Sequence, residues 1–148
     1  MQATFKNVVE DLEKFCDNHN QIKEFGCGEQ YEISTKDHDF VMVYALPVQS
    51  LINGTEFILS FEIYVFDLLK NDMSNRDDVL SDTLLIGNDI ISNFFDDEDT
   101  YDWTLNEDSV PCRPFVREFD DFTGGWMFEV DLSILNTLNT CQIPQNLT

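Results

Sequence analysis

The chain has 148 residues, the length of a single domain, and thirteen phenylalanines within a 43% hydrophobic composition supply ample material for a core. Twenty-nine acidic residues against eight lysines and arginines give a net charge of −21. That charge excludes binding of nucleic acid by phosphate neutralisation and attachment to an anionic membrane surface, because both need clustered cations. It favours a basic partner, a load of divalent cations, or a surface that repels DNA.

The N-terminal segment predicts an amphipathic helix over Thr4–Asp17. Its apolar residues recur at a spacing of three and four, charged residues cover the other side, and Thr4 is the predicted N-cap. Farther along, Gly26 and Gly28 indicate a loop or tight bend over Glu24–Tyr31.

Two apolar runs joined by Asn53-Gly54 predict an antiparallel β-hairpin, because this dipeptide is the commonest short hairpin signal. The first run, Phe40–Val48, is a strand that Pro47 either ends or places at a sheet edge. The second run, Glu56–Asp67, is apolar on much of both faces, which is typical of a central strand covered on each side. The alternation over Tyr31–Thr35 indicates one further short strand before this pair.

A wide apolar stripe predicts a second helix over Asp77–Phe95, in which Gly87 marks a close approach to the sheet. The acidic run Asp96–Asp99 ends this helix, and alternation over Tyr101–Leu105 indicates a short strand. The acidic run and Asp102 offer oxygen ligands for a divalent cation. They lack the spacing and the glycine of a calcium loop, however, so a solvated acidic loop is the preferred interpretation.

Strict alternation of apolar and polar residues predicts a long, half-buried strand over Gly124–Leu135, whose natural partner is the second hairpin strand. The two prolines of Val110–Phe119 indicate an edge strand or an extended arm. The predicted fold class is therefore α+β: a mainly antiparallel sheet with an N-terminal helix and a second helix packed on it. It forms one domain, 1–148, in which 110–119 and 136–148 are candidate extended arms.

Nothing in the sequence spells out an active site. The two histidines, His19 and His38, lie in polar contexts and are predicted to be surface residues, and no nucleophile, zinc-protease or phosphate-loop pattern occurs. The four cysteines form no CxxC pair, which favours reduced structural thiols over a disulfide framework or a zinc site. We therefore expect no catalytic residue, no cofactor and no metal, and no apolar run is long enough to span a membrane.

The C-terminal third carries a succession of segments that resembles a known family. A proline-containing segment, Val110–Phe115, is followed by the step Phe119–Trp126, by the alternating strand, and by a polar end with Cys141–Pro144. This succession is similar to that of the small neck and tail-completion (tail-terminator-like) proteins of tailed bacteriophages, crAss-like phages included. Their step reads R-F-x-D-x-x-A-G-W; here Arg117 is offset from it and Gly124 replaces the small residue.

The resemblance implies a non-enzymatic virion protein of the neck or tail, made in the host cytoplasm, whose copies, six or twelve in number, assemble as a ring. Portal, neck and tail proteins would be its neighbours, and DNA would pass through the middle without specific binding. Rings need head-to-tail contacts whose rotation closes, and extended arms commonly make such contacts. The candidate inter-subunit contacts on the two arms are Arg113, Phe115, Arg117, Cys141 and Ile143.

Two alternatives stay open at this point. The charge suits an acidic inhibitor or DNA-mimic protein that binds a basic partner about as well as it suits a ring. A metal-dependent hydrolase with Asp and Glu ligands is less favoured, because no histidine accompanies the carboxylates. The two arginines of the arm, Arg113 and Arg117, would either pair with carboxylates of an adjacent copy or form local surface ion pairs of little energetic weight.

Overall fold

A computed structural model describes residues 3–29, 38–95, 101–105, 109–116, 122–136 and 143–144. The predicted strand over Tyr31–Thr35, the acidic run Asp96–Asp99 and most of the C-terminal tail lie outside the described residues. The elements in chain order are α1 (Phe5–Asn18), β1 (Glu24–Cys27), β2 (Met42–Ile52), β3 (Glu56–Leu68), α2 (Arg76–Phe94), β4 (Trp103–Leu105), β5 (Cys112–Val116) and β6 (Thr123–Leu135).

The strands form one six-stranded sheet in the order β1-β2-β3-β6-β4, and β5 also pairs with β6. Every pairing is antiparallel except that of β1 with β2. The prediction of an α+β fold with a mainly antiparallel sheet and an N-terminal helix is confirmed.

The two central strands are the ones that the alternation predicts. β3 and β6 pair along their whole length, from Glu56 opposite Leu135 to Leu68 opposite Thr123. Because alternate side chains of a strand point to opposite faces, one face of this pair receives the large apolar residues. On that face they pack with both helices into the main core, whose sheet residues are Val43, Ala45, Phe61, Ile63, Val65, Trp103, Leu105, Phe128, Val130, Leu132 and Ile134.

Helix α1 begins where its cap residue predicts. The Thr4 backbone N–H donates to Asn7 Oδ1 at 2.9 Å, and the Thr4 hydroxyl accepts from the Asn7 backbone N–H at 3.4 Å. This reciprocal capping satisfies donors that a helix start otherwise leaves open. The helix buries Val8, Leu12 and Cys16. Burial, reinforced by the nearby carboxylates, raises the pKa of Cys16 to about 12, so this thiol is an inert core group.

The predicted loop over Glu24–Tyr31 is wrong over its first half, where β1 lies parallel to the start of β2. Gly26 allows close packing and does not form a turn, because a Cβ at this position would lie 2.8 Å from the Tyr44 ring. A glycine in the sequence can indicate either a bend or a position where an aromatic ring packs closely against the backbone. The sequence alone does not distinguish the two.

The sequence predicts that Pro47 either ends β2 or places it at a sheet edge. In the structure, the strand continues past this proline. A β-bulge follows this proline, between Pro47 and Gln49 in the ladder with β3. The proline is tolerated because β1 pairs with β2 only as far as Ala45. The predicted hairpin is confirmed, with Gly54 in its turn at a φ of 76°.

Gly87 of α2 lies directly on the sheet, as expected from its place in the apolar stripe. A Cβ there would overlap the ring of Phe128, a buried residue of β6. The absence of a side chain therefore sets how closely the helix approaches the strand.

Gly87→Ala is expected to destabilise the protein by about 1–3 kcal/mol, the range for overfilling a packed core, although alanine favours an isolated helix by about 1 kcal/mol. Chemical denaturation followed by circular dichroism measures the change. Ser92→Ala, at an exposed position of the same helix, is the control and should be neutral or slightly stabilising. A stabilising Gly87→Ala would contradict the contact with Phe128.

Candidate interaction surface

The face of the sheet opposite the helices is the open face, and one end of it carries a second, smaller apolar cluster. Its buried residues come from β2, β3 and β6, and residues of β5 and the flanking segments pack against them. The members are Phe40, Met42, Tyr44, Leu46, Tyr64, Phe66, Phe115 and Met127. β3 is therefore covered on both sides at this end, which explains its apolar character on both faces.

Beyond this cluster the open face becomes acidic. Glu62 of β3 lies directly opposite Glu129 of β6, and Asp131 follows one step along the same face opposite Ser60. We call Glu62, Glu129 and Asp131 the carboxylate row. Like charges facing each other across a ladder destabilise it, so these positions work against stability in the isolated chain.

Three neighbouring groups partly satisfy the carboxylate row. The Arg113 guanidinium donates to Glu129 and forms an ion pair with it. The Ser60 hydroxyl donates to Asp131 Oδ1 at 2.5 Å, and the Tyr64 hydroxyl donates to Glu62 Oε2 at 3.3 Å. Among the described residues, Arg113 is the one cation that pairs with these three carboxylates, so the described row keeps a net negative charge.

The row lines a groove of about 640 Å³, which lies between the open face and the segment leading into β5. The lining residues are Val48, Ser60, Phe61, Glu62, Ser109, Pro111, Arg113, Glu129, Val130 and Asp131. This mixture of carboxylates, hydroxyls and apolar groups suits an extended cationic segment or hydrated cations. Its one hydroxyl–carboxylate contact is that of Ser60 with Asp131, and the described lining residues include no histidine to act as the base of a serine nucleophile.

The structure places three of the five candidate inter-subunit residues. Arg113 pairs with Glu129 of its own chain, and Phe115 packs against Tyr64 and Phe66 with ring centroids 5.7 and 6.1 Å apart. Ile143 is exposed.

Arg117 and Cys141 lie outside the described residues. Over Cys112–Val116 the predicted arm runs as a strand along β6. Contact of any of these residues with a neighbouring subunit stays a prediction.

Both histidines, predicted to be surface residues, are partly buried, and each contacts a carboxylate. The His38 side chain is only 8% exposed and bonds to Glu24 through Nδ1, while His19 Nε2 lies 2.9 Å from Asp89 Oδ2. His19 thereby links the end of α1 to α2, and His38 fastens the start of β2 to β1. Each ring serves packing and connection between elements, a use that a polar sequence context does not reveal.

Sequence alternation predicts that Glu129 and Asp131 lie on the polar face of their strand, but it does not single out the row. Their proximity to Glu62 depends on the register between β3 and β6, two strands separated in the chain by α2, β4 and β5. In the part of the chain that is described, no group of three or more His, Cys, Asp or Glu side chains is arranged to hold a metal ion. Neither described helix has the length and apolarity to cross a membrane.

No protein-family model matches this sequence, and no curated protein matches it either.

Replacing Phe115 by alanine is expected to destabilise the isolated chain by about 2 kcal/mol, because it removes two aromatic contacts and leaves a gap against Tyr64 and Phe66. Arg113→Ala, on the same strand, should change stability by less than about 1 kcal/mol, since its ion pair is exposed to solvent. Thermal unfolding at low protein concentration measures both. Equal losses would show that β5 is not seated through Phe115.

Proposed function

We propose that this chain is a non-enzymatic structural protein of a phage neck or tail, in which identical copies close into a ring around the path of the DNA. The observation that carries the proposal is the asymmetry of the sheet. One face packs against both helices, and the other carries the half-buried carboxylate row along its groove. A wall of this kind suits a passage that DNA crosses without binding.

The physical basis is repulsion of phosphate by a repeated negative surface. In a ring the carboxylate row recurs once per subunit, so carboxylates around the channel would add their fields. At physiological salt the Debye length is about 8 Å, so the repulsion acts close to the wall and keeps DNA from sticking there. The facing like charges of Glu62 and Glu129 destabilise the single chain. Under this proposal they are retained because they keep the surface negative.

The same like charges also oppose assembly. Each subunit carries a net charge of −21, and neighbours in a ring repel one another until counterions or basic neighbouring rings compensate. Portal, neck and tail proteins above and below are the proposed partners, and the copy number is six or twelve.

An acidic inhibitor or DNA-mimic protein is the second candidate function. The observation favouring it is the groove itself, because three carboxylates beside one arginine on an open sheet face could hold a cationic segment of a target protein. The inhibitor would work as a monomer or dimer and would not need to close a ring.

The salt dependence of association separates the two functions. For the ring, the mass measured by light scattering should rise to that of a closed oligomer as salt increases from about 0.01 to 0.5 M, because screening weakens the repulsion between like-charged subunits. For the inhibitor, the chain should stay monomeric or dimeric, and its complex with a basic protein should weaken as salt rises. A monomer at every protein and salt concentration would overturn the ring.

A further inference from the structure

The outer part of β2, beyond its pairing with β1, forms an exposed strand edge. β1 covers β2 only from Met42 to Ala45, and no other described strand pairs with this side of Leu46–Ile52. From Val48 to Ile52 every side chain is exposed, with Val48 at 56%, Leu51 at 54% and Ile52 at 71%. We call Val48–Ile52 the free edge.

The free edge has little of the protection that exposed strands normally carry. Natural proteins guard edges with charges, prolines, bulges or short length. Here Pro47 precedes the edge and the bulge falls at its first residue, Val48, while the five residues V-Q-S-L-I contain neither a charge nor a proline. Backbone groups on this side can therefore accept another strand, the mode of recognition known as β-augmentation.

The distribution of charge points to the occupant. A quarter of the chain is charged, yet Val41–Thr55 contains no Asp, Glu, Lys or Arg at all. A cationic partner would be drawn to the carboxylate-bearing surfaces, not to this segment. A second molecule with the same charge of −21 is repelled over most of the surface and meets the least Coulomb repulsion at the uncharged edge.

We propose that the free edge is the docking surface for a second copy of this chain, which adds a strand to the sheet beside Val48–Ile52. The apolar side chains of Val48, Leu51 and Ile52 lose their exposure in this contact, and main-chain hydrogen bonds extend the sheet across the subunit boundary. The inference deepens the proposed function and rests on it in one respect, that the partner is a further copy.

The test compares Leu51→Lys with Leu85→Lys by light scattering over a protein concentration series at one salt concentration. Leu85 is 64% exposed on α2 and serves as the matched control, because both variants change the net charge to the same value. If overall charge governed association, both lysines would promote it. Because a lysine on an edge blocks strand pairing, Leu51→Lys should raise the concentration needed for half-assembly at least about tenfold, whereas Leu85→Lys should not.

Hydrogen exchange supplies an independent readout that needs no variant. The amides of Val48–Ile52 should exchange more slowly as the concentration of wild-type protein rises, while those of exposed residues at the start of α2 should not change. Circular dichroism melting of both lysine variants checks that each folds as the wild type does, as expected for exposed positions.

The outcomes separate this inference from the ring. A wild-type dimer that Leu51→Lys disrupts would support the free edge and overturn the ring. A ring that responds equally to Leu51→Lys and Leu85→Lys would overturn the free edge and leave the ring standing. A ring lost only in Leu51→Lys would support both, and a wild type that never associates would overturn both.

Discussion

The structure depends on one ladder, the antiparallel pairing of β3 with β6 along their whole length. All other strands are placed relative to it. β2 folds back on β3 through the hairpin, and β4 and β5 share the outer side of β6, one at each end. Gly125 makes part of this ladder possible, because a Cβ there would overlap the Val65 carbonyl oxygen of the neighbouring strand.

Two tryptophans fasten the helices to the face that this ladder creates. The indole N–H of Trp126 on β6 donates to the Leu80 carbonyl oxygen of α2 at 2.8 Å. The indole N–H of Trp103 on β4 donates to Asp11 Oδ2 of α1, also at 2.8 Å. Each ring buries apolar area while its polar group stays satisfied, so the tryptophans fix the helices without leaving a buried donor unpaired. Both helices are thereby held on one side of the sheet, and the other side remains for interactions.

The acidic residues are unevenly distributed over the surfaces that the helices leave uncovered. The carboxylate row gives the open face a negative groove, while the segment Val41–Thr55 carries no charge and ends in an exposed strand edge. Two separate surfaces thus have opposite properties: one repels phosphate and attracts cations, and the other allows a like-charged molecule to approach. A ring subunit around DNA needs both. An inhibitor that acts alone needs only the first.

The strongly periodic elements could be predicted from the sequence: α1 with its Thr4 cap, the hairpin at Asn53-Gly54, and the pairing of the two central strands all follow from local patterns. Features that depend on contacts between distant segments could not be predicted from the sequence. The sequence of β1 predicts a loop, because Gly26 signals a bend as readily as a packing site. The contact of His19 with Asp89, that of His38 with Glu24 and the meeting of Glu62 with Glu129 all join residues of different segments of the chain.

Electron microscopy of the purified wild-type protein at high concentration and high salt would show whether the copies close into a ring. Closed rings of uniform copy number are expected, with an open centre wide enough for a DNA duplex. Three-dimensional reconstruction should then show the carboxylate row toward that centre and the free edge at the boundary between neighbouring subunits. Uniform single-chain particles under the same conditions, or oligomers without a central opening, would contradict the ring.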